Sequence, residues 1–196
     1  MAHSTTIILR EMETMNVISM QGGNGDGSYA QNSGPQNKGF HAYGKAYLAK
    51  AIQIYMERNV LCISNNDKEN QDESSPRLTR IADYGCCYGR NTLECAQFIV
   101  SKLLELDHPE DNQIKEKTSL PQPQLIHKFR YFFVDLPSND FNSLFYMLHS
   151  PDFAAGFQGL KFFPNGVPGS FYNCVLPKGS VDFAITAFSL HWISQV

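Results

Sequence analysis

Apolar side chains recur at helical spacing in three stretches of the chain. They follow a period of three to four over residues 41–58 and form a continuous stripe over residues 91–106. Asp140 precedes a third stretch, residues 141–148, and is a residue type that caps helix starts. Because side chains three and four apart share one face of a helix, each stretch predicts an amphipathic helix against a core.

Short apolar runs between these stretches predict β-strands, at residues 80–83, 129–135 and 180–187. Polar, glycine-rich or proline-containing segments separate them and predict loops, at residues 20–33, 64–80, 107–128 and 162–172. Strands that alternate with helices are typical of a parallel sheet covered by helices. We therefore expect an α/β protein, with residues 1–19 as an N-terminal extension and residues 20–196 as one domain.

Composition narrows the possible functions. The 196 residues include 16 Lys and Arg against 19 Asp and Glu, which leaves no basic surplus for binding a nucleic acid backbone. No apolar run approaches the roughly 20 residues that cross a bilayer, and the N-terminus lacks the apolar core of a signal peptide. Five cysteines, an odd number that includes the adjacent Cys86 and Cys87, favour reduced thiols and a cytoplasmic location.

Candidate chemistry lies where strands end, because open α/β sheets bind ligands beyond the carboxyl ends of their strands. Asp83 ends the first predicted strand, and Gly85 and Gly89 follow it. Glycines let the backbone approach a ligand closely, although two glycines are also common in ordinary turns. The spacing is not the GxGxxG of dinucleotide binders, which disfavours a nicotinamide-linked enzyme.

Asp135 ends the next strand and is placed to accept hydrogen bonds from both hydroxyls of a ribose. A turn or helix-capping role is the alternative, since Pro137 follows closely. Together, Asp83 and Asp135 resemble the usual S-adenosylmethionine site, which has one acid near the methionine end of the cofactor and one at its ribose.

The last predicted strand is followed by Phe188, Ser189, His191 and Trp192, the only tryptophan of the chain. An indole beside an imidazole can form an aromatic pocket wall with a hydrogen-bond donor, whereas simple core packing is the alternative. No set of Ser, His and acid is ordered as a catalytic triad, so we predict no catalytic nucleophile and no catalytic residue.

Six motifs in order resemble the SABATH family of plant carboxyl methyltransferases. They are SYAQNS (28–33), ADYGC (82–86), GRNT (89–92), DLPSNDFN (135–142), GVPGSFY (166–172) and FSLHWISQV (188–196). The resemblance covers residues 17–196 and is strongest to the indole-acetate branch. It implies a class I, Rossmann-like fold, S-adenosylmethionine as cofactor, and esterification of a small plant acid such as indole-acetate, salicylate or jasmonate.

The resemblance also assigns roles by position. The methionine part of the cofactor would lie among Tyr29, Ser33, Asp83, Gly85, Cys86 and Asn91. Its ribose and adenine would lie against Asp135, Leu136, Ser170 and Phe171. The acid substrate would bind Gln36, Phe188, His191 and Trp192. Tyr88 and Arg90 depart from the small residues usual in the family and are large enough to crowd or reshape the cofactor turn.

Family members continue beyond the position of Val196 with further strands, most of a helical cap and the residues of a possible magnesium site. We therefore expect an incomplete sheet, no metal ligands within this chain, and possible homodimers, as in the family. A carboxylate substrate is already ionised at neutral pH, so transfer would need alignment and water exclusion rather than a general base. The alternative is a truncated, non-catalytic protein that binds the cofactor or a partner without turnover.

Overall fold

Four parallel strands form the sheet of this protein. The computed structural model describes residues 25–65, 77–107, 127–187 and Ser189. Numbered in chain order, the strands are β1 (Leu78–Tyr84), β2 (Lys128–Asp135), β3 (Lys161–Pro168) and β4 (Phe183–Ile185), arranged β3-β2-β1-β4. The predicted α/β class and its parallel sheet are confirmed.

Helices precede, connect and flank the strands. A short helix α1 (Tyr29–Asn32) leads into α2 (Gly34–Gly39), a π-helical segment (Phe40–Gly44) and the long α3 (Lys45–Asn65). Helix α4 (Arg90–Asp107) follows β1 along the chain and precedes β2. Beyond β2 come α5 (Phe141–Leu148), α6 (Pro151–Ala154) and a 3₁₀ turn (Ala155–Phe157).

The core forms between the central strands and α4. In β2, alternate residues Phe129, Tyr131 and Phe133 are completely buried. The α4 stripe predicted from the sequence packs in the same core: Leu93, Ala96, Ile99, Val100 and Leu103 are buried, and Leu104 is half-buried. Each large apolar side chain buried in this way contributes about 1.5–3 kcal/mol. These contacts fix the position of the carboxyl ends of β1 and β2.

Helix α5 begins as predicted, at an aspartate cap. The Asp140 side chain accepts hydrogen bonds from the Ser143 backbone N–H (2.9 Å) and from the Ser143 hydroxyl (2.7 Å). Such a cap satisfies a backbone donor that the helix leaves without an internal partner.

Two of the predicted loops contain regular structure. The predicted loop at 162–172 was wrong over its first part, which is strand β3. Pro164 and Pro168 suggested a loop, but β3 is the edge of the sheet, where a proline costs few ladder hydrogen bonds. The predicted loop at 20–33 ends in α1, and the predicted helix at 41–58 begins earlier, at α2, because a π-helical segment joins the two.

A buried polar cluster closes the amino-terminal end of the sheet. The Nε2 atom of His127 forms a 2.8 Å hydrogen bond with the Thr79 hydroxyl, and its Nδ1 atom lies 2.9 Å from an Asp107 carboxylate oxygen. Arg77 donates to the other oxygen of Asp107 (2.8 Å). The His127 ring stacks on Phe129 at 4.3 Å. The cluster joins the start of β1, the end of α4 and the residue before β2.

Candidate cofactor and substrate site

The turn after β1 is held in an unusual backbone conformation. Gly85, Cys87 and Gly89 all have positive φ angles, of 72°, 56° and 107°. The backbone N–H groups of Gly85 and Cys86 donate to the Val134 carbonyl at 2.8 and 3.2 Å, which fastens the turn to β2. Positive φ is costly for a residue with a side chain, so Cys87 must be held there by its surroundings.

Asp135 holds Cys87 in this conformation. One oxygen of its carboxylate accepts a hydrogen bond from the Cys87 backbone N–H, and the other accepts from the Leu136 N–H (2.7 Å). Asn139 adds a 3.0 Å bond from its side-chain amide to the Cys87 carbonyl. A carboxylate can accept about four hydrogen bonds, so Asp135 retains capacity for a ligand. Burial raises the pKa of Asp135 despite these two bonds.

Asp83 is the buried acid of the site. It is 2% exposed and accepts a hydrogen bond from the Thr92 hydroxyl (2.9 Å) and a long one from the Tyr131 hydroxyl (3.5 Å). Burial raises its pKa to about 7, and the nearby charge of Asp135 acts in the same direction. No Lys, Arg or His of the described ranges forms an ion pair with it. A ligand cation would therefore find an unmatched carboxylate here.

The first helices cover this turn from the other side. Asn91, at the start of α4, donates through its amide to the Ser33 carbonyl (3.1 Å) and to the Tyr29 hydroxyl (3.4 Å). Burial raises the pKa of Tyr29 to about 12, so its phenol stays neutral. On the same segment, Gln36 has a buried side-chain oxygen with no hydrogen-bond partner among the described residues. A buried acceptor without a partner is costly unless a ligand donates to it.

A cleft of about 330 Å³, counted with its opening to solvent, lies between these elements. Its walls combine acidic, amide, thiol and aromatic groups from the first helices, β1, α4 and the chain after β4. The lining residues are Tyr29, Phe40, Asp83, Gly85, Cys86, Asn91, Thr92, Cys95 and Ala187. Burial raises the pKa values of Cys86 and Cys95 well above the ordinary thiol value, so both thiols stay protonated.

The segments after β3 and β4 reach the same end of the sheet. Ser189 donates to the Tyr84 carbonyl (3.0 Å) and lies so close to Gly85 that a Cβ on Gly85 would be 2.5 Å from its side chain. The Phe171 ring would lie 3.7 Å from that Cβ, which places it beside the turn. Ser170 accepts a 3.3 Å hydrogen bond from the Tyr172 backbone N–H. The turn after β1 is therefore enclosed from several directions.

The structure brings together most residues that the sequence singled out. Five of them line the cleft: Tyr29, Asp83, Gly85, Cys86 and Asn91. Five more lie on segments that contact or flank the turn after β1, namely Ser33, Gln36, Asp135, Leu136 and Phe171. Ser170 directly precedes Phe171 in the chain. Phe188, His191 and Trp192 lie outside the described residues, and their roles remain predictions.

Sequence reasoning missed several lining residues, namely Phe40, Thr92, Cys95 and Ala187. Phe40 enters the cleft from the π-helical segment, a distortion that periodicity cannot reveal because the helix pattern continues on both sides. Thr92 is recoverable, since a threonine in the first turn of α4 can reach back to the acid of β1.

Tyr88 and Arg90 do not enter the cleft. Tyr88 is 2% exposed and belongs to the hydrophobic core, with its ring 6.3 Å from that of Tyr29. Arg90 is directed outward, where it lies 3.4 Å from Glu94 and 5.5 Å above the Phe153 ring. Tyr88 therefore packs in the core beside Tyr29, Arg90 faces solvent, and neither is among the residues that line the cleft.

A parallel sheet, a glycine turn after β1 and an acid at the end of each of the two central strands define a Rossmann-like fold of the class I methyltransferase type. The family model for SAM dependent carboxyl methyltransferases matches residues 15–196. The chain belongs to this family.

Known plant enzymes show the same relationship. The chain is 34% identical to indole-3-acetate O-methyltransferase 1 of Arabidopsis thaliana over 192 residues, which cover 94% of the chain and 43% of that enzyme. It is 36% identical to loganic acid O-methyltransferase of Catharanthus roseus over 178 residues, 90% of the chain and 39% of the enzyme. A solved structure of loganic acid methyltransferase with SAH matches with a TM-score of 0.63 and 35% identity, over 91% of the chain and 42% of that structure. The chain spans less than half the length of these relatives.

Proposed function

We propose that the chain carries the cofactor-binding part of an S-adenosylmethionine-dependent O-methyltransferase that esterifies a small carboxylic acid. The observation that carries the proposal is the buried, unmatched carboxylate of Asp83 in the cleft. The cofactor has an ammonium group and two ribose hydroxyls, and the two strand-end acids are suited to both. Family membership and the names of the relatives support the same reaction.

The residues present fit the cofactor. Asp83 would bind the ammonium group, while Tyr29, Ser33, Gly85, Cys86 and Asn91 would surround the rest of the methionine part. Asp135 has two bonds to backbone N–H groups and keeps acceptor capacity for ribose hydroxyls. Leu136, Ser170 and Phe171 would lie on the ribose and adenine side. When bound, the cofactor supplies an electrophilic methyl group.

The acid substrate would bind on the side of Gln36. The N–H groups of the Gln36 side-chain amide can donate to a carboxylate, whereas its buried oxygen, which lacks a partner among the described residues, would need a separate donor. Phe188, His191 and Trp192 are proposed to complete this pocket. The chain's own contribution is then to orient the acid and to exclude water, because a carboxylate needs no general base at neutral pH.

The substrate proposed is a plant acid of the indole-acetate, salicylate or jasmonate kind, and two relatives named indole-3-acetate O-methyltransferase 1, at 34% and 33% identity, favour indole-acetate. We propose a cytoplasmic location from the free thiols of Cys86, Cys87, Cys95 and Cys174. No helix in the described ranges is long and apolar enough to cross a membrane. The same ranges contain no group of three or more His, Cys, Asp or Glu side chains that could hold a metal. Magnesium binding and homodimer formation are proposed from the resemblance alone.

A second candidate function follows from the length of the match. The chain matches about 43% of the length of these relatives, so more than half of their sequence lies outside the match. A protein of this kind can bind the cofactor, or a partner chain, without turnover. The two candidates share the cofactor site and differ in whether methyl transfer occurs.

Calorimetric titration with S-adenosylhomocysteine, the product form of the cofactor, tests the shared site. We expect saturable binding that weakens at least about tenfold in Asp135→Ala, since two or more hydrogen bonds to a charged group are lost. Asp152→Ala, which removes an exposed aspartate at the start of α6, is the matched control and leaves affinity unchanged. Absence of binding by the folded chain would refute the proposal. Binding of S-adenosylhomocysteine without methyl transfer from S-adenosylmethionine to any of the three acids would favour the non-catalytic candidate.

A further inference from the structure

A carboxylate on α4, Glu94, ties that helix to the segment that carries Gln36. One of its oxygens accepts hydrogen bonds from the Asn37 side-chain amide (3.0 Å) and from His41 Nε2 (2.8 Å). The other oxygen lies 3.4 Å from an Arg90 guanidinium nitrogen. Donors from α2, from the π-helical segment and from α4 itself therefore converge on one side chain.

The contacts continue from Glu94 into the candidate site. The Asn37 amide also donates to the Asn91 side-chain oxygen (2.9 Å). Asn91 in turn donates to the Ser33 carbonyl and to the Tyr29 hydroxyl. An amide nitrogen carries two hydrogens, so Asn37 and Asn91 can each make both of these bonds. The path from Glu94 to the cleft is complete and chemically consistent.

Glu94 differs from an ordinary surface carboxylate. Its side chain is 18% exposed, although it belongs to an amphipathic helix with a solvent-facing side. Burial opposes its ionisation, yet the hydrogen bonds from His41 and Asn37 hold the pKa of Glu94 below its ordinary value. It therefore stays charged near neutral pH, and charged acceptors make the stronger hydrogen bonds.

Gln36 lies in the chain between two residues of this hydrogen-bonded path. Ser33 and Asn37 stand on either side of it in the chain, and Asn91 bonds to both. The orientation of the Gln36 amide thus depends on contacts that Gln36 does not itself make. Displacement of a positioned group by about 1 Å can cost a large factor in binding or rate.

We propose that Glu94 is a positioning residue that, through Asn37, His41 and Asn91, holds the α1–α2 segment and its Gln36, Tyr29 and Ser33 against the cofactor turn. The expected effect on ligand affinity rests on the proposed function. The expected effect on the position of residues 33–44 does not, because it concerns the free protein.

Three substitutions separate positioning from general stability. Glu94→Met keeps the length and helix propensity of the side chain and removes both acceptors. Glu94→Gln retains an oxygen that can accept from Asn37 and His41, so it should restore most of the effect. Glu105→Met is the matched control: Glu105 lies on the same helix and pairs with Lys102 at 2.7 Å, but it is 52% exposed and remote from the site.

Hydrogen–deuterium exchange of the free chain is the first measurement. In Glu94→Met, we expect amides of residues 33–44 to exchange about tenfold faster while those of β2 remain unchanged. Glu105→Met should match the parent chain, and Glu94→Gln should exchange only slightly faster because it keeps an acceptor but loses the charge. Unchanged exchange over residues 33–44 would overturn the proposal, and so would equal acceleration in β2, which would indicate loss of global stability only.

Titration with S-adenosylhomocysteine is the second measurement. Affinity should fall about tenfold in Glu94→Met and stay within about twofold in the other two variants. An unchanged affinity in Glu94→Met would overturn the link to the site. If the parent chain itself fails to bind, the proposed function is refuted, while the exchange measurement still decides whether Glu94 holds the segment.

Discussion

The hydroxyl of Thr92 donates a 2.9 Å hydrogen bond to the carboxylate of Asp83, across the turn that separates β1 from α4. This bond favours the ionised acid, but burial opposes it more strongly, and the pKa of Asp83 rises to about 7. Folding therefore takes up a proton at neutral pH, since an unfolded aspartate has its ordinary pKa near 3.8. The free folded chain is therefore more stable with Asp83 protonated, whereas a ligand cation binds better to its ionised form.

The free chain is expected to lose stability as pH rises from about 4 to about 7. Between the unfolded and folded pKa values of Asp83 the folded state binds more protons, so the free energy of unfolding decreases with pH until it levels off above the folded value. Asp135, whose pKa is also raised, contributes with the same sign. Glu94 and Asp182 have lowered pKa values and act in the acid range below this window.

Asp83→Asn checks this prediction. The variant should be more stable than the parent by about 4 kcal/mol at pH 8 and by only about 1–2 kcal/mol at pH 5, because the difference disappears only below the unfolded pKa. Urea unfolding at the two pH values measures the difference. Binding of S-adenosylhomocysteine should change the other way, weakening in the variant and, in the parent, tightening from pH 6 to pH 8. A variant less stable than the parent at both pH values would contradict the assignment.

Gly85 cannot be replaced without a clash. Its φ of 72° is strained for any other residue, and an added Cβ would be 2.5 Å from the Ser189 side chain. Gly179 has a similar φ of 75° but open space around the same position. Gly179→Ala should therefore cost about 1–2 kcal/mol for backbone strain alone, and Gly85→Ala clearly more. Equal losses of unfolding free energy would show that Ser189 moves away at no cost.

The central architecture could be predicted from the sequence because burial leaves periodic patterns. The apolar stripe of α4 and the apolar run of β2 each correspond to one element of the structure. Both acids lie at the carboxyl ends of their strands, as predicted. Because β1 and β2 are parallel neighbours in the sheet, Asp83 and Asp135 lie on adjacent strands. These features depend on local pattern and on one topological rule.

Other features depend on long-range geometry and leave no local pattern. Strand β3 contains two prolines, which its edge position tolerates. The entry of Phe40 into the cleft depends on a π-helical turn, and the convergence of Asn37 and His41 on Glu94 joins residues more than fifty positions apart. Only packing determines these contacts.

His127 is expected to stabilise the fold without affecting ligand binding. It is fully buried at the amino-terminal end of the sheet and joins Thr79 to Asp107. His127→Phe keeps the ring stacked on Phe129 but leaves two buried polar groups short of a partner, at a cost of about 2–4 kcal/mol. Lys102→Ala, which breaks a more exposed pair, should cost under about 1 kcal/mol.

Chemical unfolding measures both variants, and calorimetric titration provides the functional comparison. Affinity for S-adenosylhomocysteine should be unchanged in His127→Phe, because the site lies at the carboxyl ends of the same strands. A fall in affinity at a temperature where the variant is fully folded would mean that the two ends of the sheet are coupled.

Gly44 allows Phe40 to enter the cleft. A Cβ on Gly44 would be 2.9 Å from the Phe40 ring, which packs edge-on against Phe98 at 6.2 Å. Replacing a glycine in a helix interior with alanine ordinarily stabilises a helix by about 1 kcal/mol. Gly44→Ala must displace the ring, so we expect it to gain nothing in unfolding free energy and to weaken S-adenosylhomocysteine binding. If Gly44→Ala proved stabilising by that amount with unchanged affinity, the π-helical segment would not be shaping the cleft.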